Sequence, residues 1–170
     1  MIDRSFSLRL STLLLMSCLL GFPMKGAADP NPKIGRYETS TKECSYTDSR
    51  KDSVTCTTLQ LKGRSSSFVA VRFIGQGTTK NSRKQLTFVT LTTQGESPLK
   101  CSTGTCRLDA EAWQSTVSSV AEASFNSSGI ATGLPKAWAA KSGKCNLKDR
   151  VLRCRALQFN GEVYQAEAHL

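Results

Sequence analysis

Residues 68–74 read FVAVRFI, a nearly continuous apolar run bounded by serine and glycine. A run this short predicts a strand covered on both faces. The basic stretch 75–84, GQGTTKNSRK, reads as a turn, and LTFVTL at 86–91 as the antiparallel neighbour, so a core hairpin is expected over 67–92. Upstream, a strand is expected around 34–39. Between Cys44 and Cys56 the middle is polar and rich in Asp and Ser, which favour turns by bonding to nearby backbone. The Thr, Leu and Val that follow favour β-structure until Gly63, and a second hairpin results. Residues 94–98 read as loop, and CSTGTC at 101–106 as a tight knuckle.

From Asp109 the period changes. Trp113, Val117, Val120, Ala121 and Phe125 fall at helical spacing, with Asp109 placed as the N-cap and Glu111 near the positive end of the dipole. This predicts an amphipathic helix near 109–125, stopped by Asn126 to Gly129, with its apolar stripe on the sheet. Residues 134–140 are expected to add a short helical turn, Pro135 lying in its first turn. The last hairpin runs from Cys145 through Cys154 to Phe159. Asn160-Gly161 is a turn signal, and 163–168 is expected to pair back as a final strand. The expected fold class is therefore α+β: an antiparallel β-sheet or small β-sandwich with one main helix across it, in a single secreted domain over 29–170.

One pattern occurs twice. VTCTTLQLKG at 54–63 and LRCRALQFNG at 152–161 share Cys, Leu, Gln and Gly, and each is preceded by another cysteine. In both copies the cysteine shares a face with Val54 or Leu152, while Leu59 and Leu61, or Leu157 and Phe159, point to the other. Such strands are expected to change their apolar face midway. Two hairpins stapled alike explain the repeat without common ancestry.

The N-terminal residues carry Arg4 and Arg9, an apolar run over 10–22, and Gly26-Ala27-Ala28 before Asp29. This is the layout of a secretory signal peptide over 1–28, too short for a membrane span. A second reading takes Leu15-Met16-Ser17-Cys18 as a lipobox, which would tether the domain by acyl groups on Cys18. Without residues 1–28 the chain keeps 20 basic and 12 acidic side chains, a net +8 over 142 residues. Six cysteines then remain: Cys44, Cys56, Cys101, Cys106, Cys145 and Cys154. An even number behind a signal reads as a disulfide framework in an oxidising compartment, secreted or periplasmic. Spacing favours the local set 44–56, 101–106 and 145–154, although connectivity does not follow from sequence alone.

Catalytic signatures are sparse. The one histidine, His169, stands beside the C-terminus, where chain ends usually fray. The serines form no G-x-S-x-G elbow or S-x-x-K pair. The x4 spacing of Cys101 and Cys106 is not that of a redox or metal motif, and no metal or cofactor is expected. The basic residues form three groups: Arg50 and Lys51 with Lys62 and Arg64; Lys80, Arg83 and Lys84; and the last third, 136–155, including Lys148, Arg150, Arg153 and Arg155. Few aromatics interleave with them, which argues against nucleic acid. Lys80, Arg83, Lys84, Lys148, Arg150, Arg153 and Arg155 are the expected anion-binding residues, and a cationic patch is expected if the two similar hairpins lie side by side.

Residues 44–125 also carry a family resemblance. Cys44 and Cys56, then FVAVRFI, LTFVTL, CSTGTC and RLDAEAW, resemble the order of elements in the invasion-associated locus B family of bacterial envelope proteins. The resemblance implies a β-rich periplasmic or surface domain of non-enzymatic character, associated with host-cell entry. The Gly- and Leu-rich stretch of that family is absent, Cys145 and Cys154 are additional, and no binding residue carries over. The expected function is a non-catalytic envelope module binding an anionic glycan, a lipid headgroup or a protein partner. The competing reading is an inhibitor of a protease or glycan-cleaving enzyme, presenting a stapled loop over 47–53 or 102–105.

Overall fold

A computed structural model describes residues 34–49, 51–92 and 97–170. The expected signal peptide, Cys18 and Arg50 lie outside these. Eleven strands follow one another: β1 (Gly35–Ser40), β2 (Glu43–Thr47), β3 (Ser53–Gly63), β4 (Phe68–Gln76), β5 (Arg83–Leu91) and β6 (Leu99–Ser102). Then come β7 (Gly104–Leu108), β8 (Trp113–Phe125), β9 (Lys136–Lys148), β10 (Val151–Gln158) and β11 (Val163–His169). The described residues contain no helix.

Eight of these strands close into an antiparallel barrel in the order β2-β3-β4-β5-β8-β9-β10-β11, with β11 returning to β2. Each barrel strand thus pairs with its sequence neighbours except across the connection from β5 to β8. That connection carries the β6–β7 knuckle, whose β7 lies parallel to β1. Closure leaves no open edge in the barrel proper, which removes the hazard of an exposed edge strand.

An eight-stranded barrel is just wide enough for side chains to fill. Here Leu59, Leu61, Val69, Val71, Phe73, Leu86, Phe88, Val120 and Leu152 are buried inside. Phe73 and Phe88 meet edge to face at 5.9 Å, and Trp138 leans on Tyr164 at 5.4 Å. Small residues, Ala156, Ala166 and Ala168, stand beside the two interior disulfides and leave them room. The three bridges join Cys44 to Cys56, Cys101 to Cys106 and Cys145 to Cys154, the local set favoured by spacing. The knuckle bridge packs against Gly35, where a Cβ would stand 2.6 Å from Cys106 Sγ.

The α+β expectation is overturned. Residues 113–125, expected as helix, form the long strand β8, and 136–140 of the second expected helical turn belong to β9. The cause is a bulge. Trp113, Ser115 and Val117 turn inward at period two, Ser118 is then unpaired with β5, and Val120 resumes the inward face. One extra residue therefore converts alternation into the spacing i, i+4, i+7. Ser118 Oγ donates to Val89 O at 3.1 Å, which secures the bulge. Asp109 caps nothing; it pairs with Lys100 and Arg107 of the knuckle at 2.5 and 3.2 Å.

The expected switch of apolar face is also corrected. In β3 a bulge between Cys56 and Thr58 shifts the phase, so Cys56, Leu59 and Leu61 all point inward. In β10 no such shift precedes Leu157, so Leu152, Cys154, Ala156 and Gln158 point inward, Leu157 is half-buried and Phe159 is exposed. The two copies of the pattern are thus not equivalent. Gln60 sits on the outer face, where its Nε2 donates to Glu38 and its Oε1 accepts from Arg72, at 2.6 and 2.7 Å. Gln158 faces the interior.

Candidate functional site

Two concave regions gather polar side chains. The larger is a groove of about 630 Å³ on the outside of β2, β11, β10 and β9, lined by Ser45, Thr47, Ser53, Lys144, Asn146, Arg153, Arg155, Gln165 and Glu167 among others. Its residues arise from strand alternation: the side chains at 44, 154 and 166 go inward, so their neighbours at 45, 153, 155, 165 and 167 go outward. The first and last hairpins do not pair directly. They flank β11, which pairs with β10 on one side and β2 on the other.

Inside the groove Arg153 forms a two-point pair with Glu167, Nε to Oε2 at 2.6 Å and Nη2 to Oε1 at 3.1 Å. His169 Nε2 lies 2.8 Å from the same Oε1. The hydrogen bond from Arg153, then that from His169, holds the Glu167 carboxyl below the ordinary carboxylate range. His169 is not frayed; it pairs with Val151 and Glu43. Beside this trio, Arg155 faces Lys144 directly across β10 and β9. Both are exposed, and neither forms an ion pair among the described residues. Like charges directly opposed across two strands repel.

The second region is the barrel mouth at the end formed by the connections 48–52, 77–82, 126–135 and 159–162. A cleft of about 440 Å³ there is lined by Tyr46, Asp48, Lys84, Glu122, Leu134 and Lys136 among others. Lys84 Nζ lies 4.0 Å from Asp48 Oδ2. The backbone N–H of Ser49 donates to Glu122 Oε1 at 2.5 Å, drawing the β2–β3 turn over the mouth. Burial, then the charges of Asp48 and Glu122, pushes the Tyr46 phenol upward. Burial, then Glu122 and Glu162, pushes Tyr164 up to about 12.

The expected anion-binding residues are therefore dispersed. Arg153 and Arg155 share the groove. Lys80, Arg83 and Lys84 stand three strands away at the mouth, with Lys84 turned inward. Lys148 and Arg150 lie at the opposite end, where Arg150 Nε donates to Leu170 O at 3.1 Å. Lys144 was missed as a partner of Arg155. Its signal was present: in a hairpin stapled between Cys145 and Cys154, the residues just outside the bridge must face each other.

A cationic row on the outside of β1, β3 and β4 was also missed in part, since Arg36 and Arg72 join Lys62 and Arg64 there. Burial, then the charges of Arg64 and Arg36, lowers the Arg72 pKa. The lone arginine within FVAVRFI was its signal. Among the described residues no group of His, Cys, Asp and Glu is arranged to hold a metal ion. No family model, no curated protein and no solved structure matches the chain.

Proposed function

We propose that the protein is a non-catalytic binding module of an oxidising compartment, secreted or periplasmic, and that its groove takes an anionic glycan. The observation that carries this reading is the unneutralised pair Lys144 and Arg155, opposed across β9 and β10 in the groove outside β2, β11, β10 and β9. Two like charges held together gain stability when an anion bridges them. The hydroxyl and amide side chains around them, Ser45, Thr47, Ser53, Asn146 and Gln165, suit the hydroxyls of a sugar. Three disulfides are compatible with such a compartment. The resemblance to invasion-associated locus B proteins adds the expectation of an envelope location and supplies no residue.

The test is binding to a sulfated or uronate glycan by calorimetry, at low and high salt, for the wild type and for Lys144→Ser with Arg155→Ser. Weaker binding in the double variant, salt-sensitive in the wild type and with an unlowered melting temperature, supports the reading. Binding that ignores both salt and these substitutions sinks it. The inhibitor reading gains no specific support, since Ser49 of its first presenting loop is hydrogen-bonded to Glu122 at the barrel mouth.

A further inference from the structure

The mouth end carries a second surface that the groove does not use. Leu134 is 92% exposed, Phe159 75% and Ile130 65%, and Val163 is also exposed. All four lie on or beside the β8–β9 and β10–β11 connections, which emerge at the same end from adjoining parts of the barrel wall. The core is already filled by inward residues of the strands, so these side chains contribute nothing to it. Large apolar groups grouped at one rim mark a contact surface.

Cations flank them. A Cβ on Gly129 would stand 3.5 Å from Arg83 Nη2, which places that guanidinium next to Ile130. Lys84 and Lys136 line the same cleft as Leu134. Lys51 and Lys80, both exposed, stand on the other two connections of this end. The two carboxylates of the cleft are already engaged, Asp48 with Lys84 and Glu122 with the Ser49 N–H. Lys80, Arg83 and Lys136 form no ion pair among the described residues.

We infer that this rim docks on an anionic lipid bilayer. Leu134, Phe159 and Ile130 enter the boundary between headgroups and acyl chains, while Lys80, Arg83 and Lys136 meet lipid phosphates. Apolar side chains with lysine and arginine at their flanks suit the membrane interface, where the two kinds of group reach different depths. The centres of protein–protein interfaces are depleted in lysine, and an isolated loop tip offers little of the flat packed area they need.

The test is co-sedimentation of the full chain with vesicles of phosphatidylglycerol and phosphatidylcholine, against phosphatidylcholine alone, at low and high salt. The wild type is expected to pellet with the anionic vesicles and to be released by salt. Leu134→Ser with Phe159→Ser should lower vesicle affinity by roughly tenfold or more. Both side chains are exposed, so the melting temperature should hold. Lys80→Ser with Arg83→Ser should reduce the preference for anionic lipid. Lys144→Ser with Arg155→Ser should pellet like the wild type, which separates this inference from the glycan groove. Failure of the wild type to pellet at low salt overturns the inference, as does pelleting untouched by the rim substitutions. Loss of self-association in Leu134→Ser with Phe159→Ser, with vesicles ignored throughout, overturns it in favour of a second copy of the chain.

Discussion

The backbone N–H of Ser49 reaches the carboxylate of Glu122 at 2.5 Å, a bond between a turn leaving β2 and the strand diametrically across the barrel. Three strands separate the two by either route round the wall. The β2–β3 turn is thereby held across the mouth instead of standing free. Glu122→Ala should release it at a cost of about 1.5–3 kcal/mol, the range for a lost hydrogen bond to a charged acceptor. The expected readout is faster tryptic cleavage at Lys51 with little change in the barrel's circular dichroism. Unchanged cleavage would mean that the turn is held by its other contacts.

The three disulfides should differ in worth. Closing such short loops contributes about 2–3 kcal/mol each on the chain-entropy model. The Cys145–Cys154 bridge is buried inside the wall, between directly opposed residues of β9 and β10. Replacing both cysteines by alanine also leaves a void there, so a loss of about 3–5 kcal/mol is expected. The Cys101–Cys106 bridge staples the peripheral knuckle, and its removal should cost nearer 2 kcal/mol. Urea midpoints of the two double variants decide the order.

Alkali should unfold the barrel through its interior phenols. The folded-state pKa of Tyr164, about 12, lies above its ordinary 10.0, so the fold favours the neutral form. That contribution is complete below pH 10 and is lost as pH rises toward 12. Tyr46 shifts in the same direction. Phenolate absorbance and circular dichroism should therefore change together in this window, and Tyr164→Phe should move the transition upward. Ionisation of both phenols at their ordinary pKa with the fold intact would contradict this.

Acid should open the groove. The depressed pKa of Glu167 means that its pair with Arg153 contributes stability above the ordinary carboxylate value, lost as pH falls through the lowered one. Protonation releases Arg153 beside Arg155 and Lys144, so affinity for a sulfated glycan, which stays charged, should rise as pH falls. Glu167→Gln should show the raised affinity already at neutral pH. An affinity that is flat with pH, in the wild type and the variant alike, would show that Arg153 takes no part.

Gly143 is a site where one methyl group matters. A Cβ there would stand 2.7 Å from Arg155 O and 2.9 Å from Val117 Cβ, between β10 and the bulge of β8. Gly143→Ala should destabilise by about 1–3 kcal/mol through overpacking. A thermal melt measures it, and a neutral result would mean that the bulge in β8 gives way at no cost.

The hairpins were legible in the sequence because their information is local. The apolar run 68–74, the turn after it, the Asn160-Gly161 signal and the short cysteine spacings each act over a dozen residues or fewer, and the structure has all of them. The pair of Lys144 and Arg155 was within reach on the same ground, since the hairpin disulfide sets the register between them. The helix was misread for an equally local reason: a bulge at Ser118 inserts one residue into an alternating strand, and its shifted phase imitates a helical stripe. Sequence alone thus determined a cationic, cysteine-rich chain of stapled hairpins and tight turns. Only the tertiary structure decided that β11 returns to β2, that the turn after β2 crosses to Glu122, and that the basic residues fall on separate faces. Those relations depend on bringing residues far apart in sequence together. Their cost in loop entropy is repaid only when the closed wall buries a shared interior, and no local pattern encodes that balance.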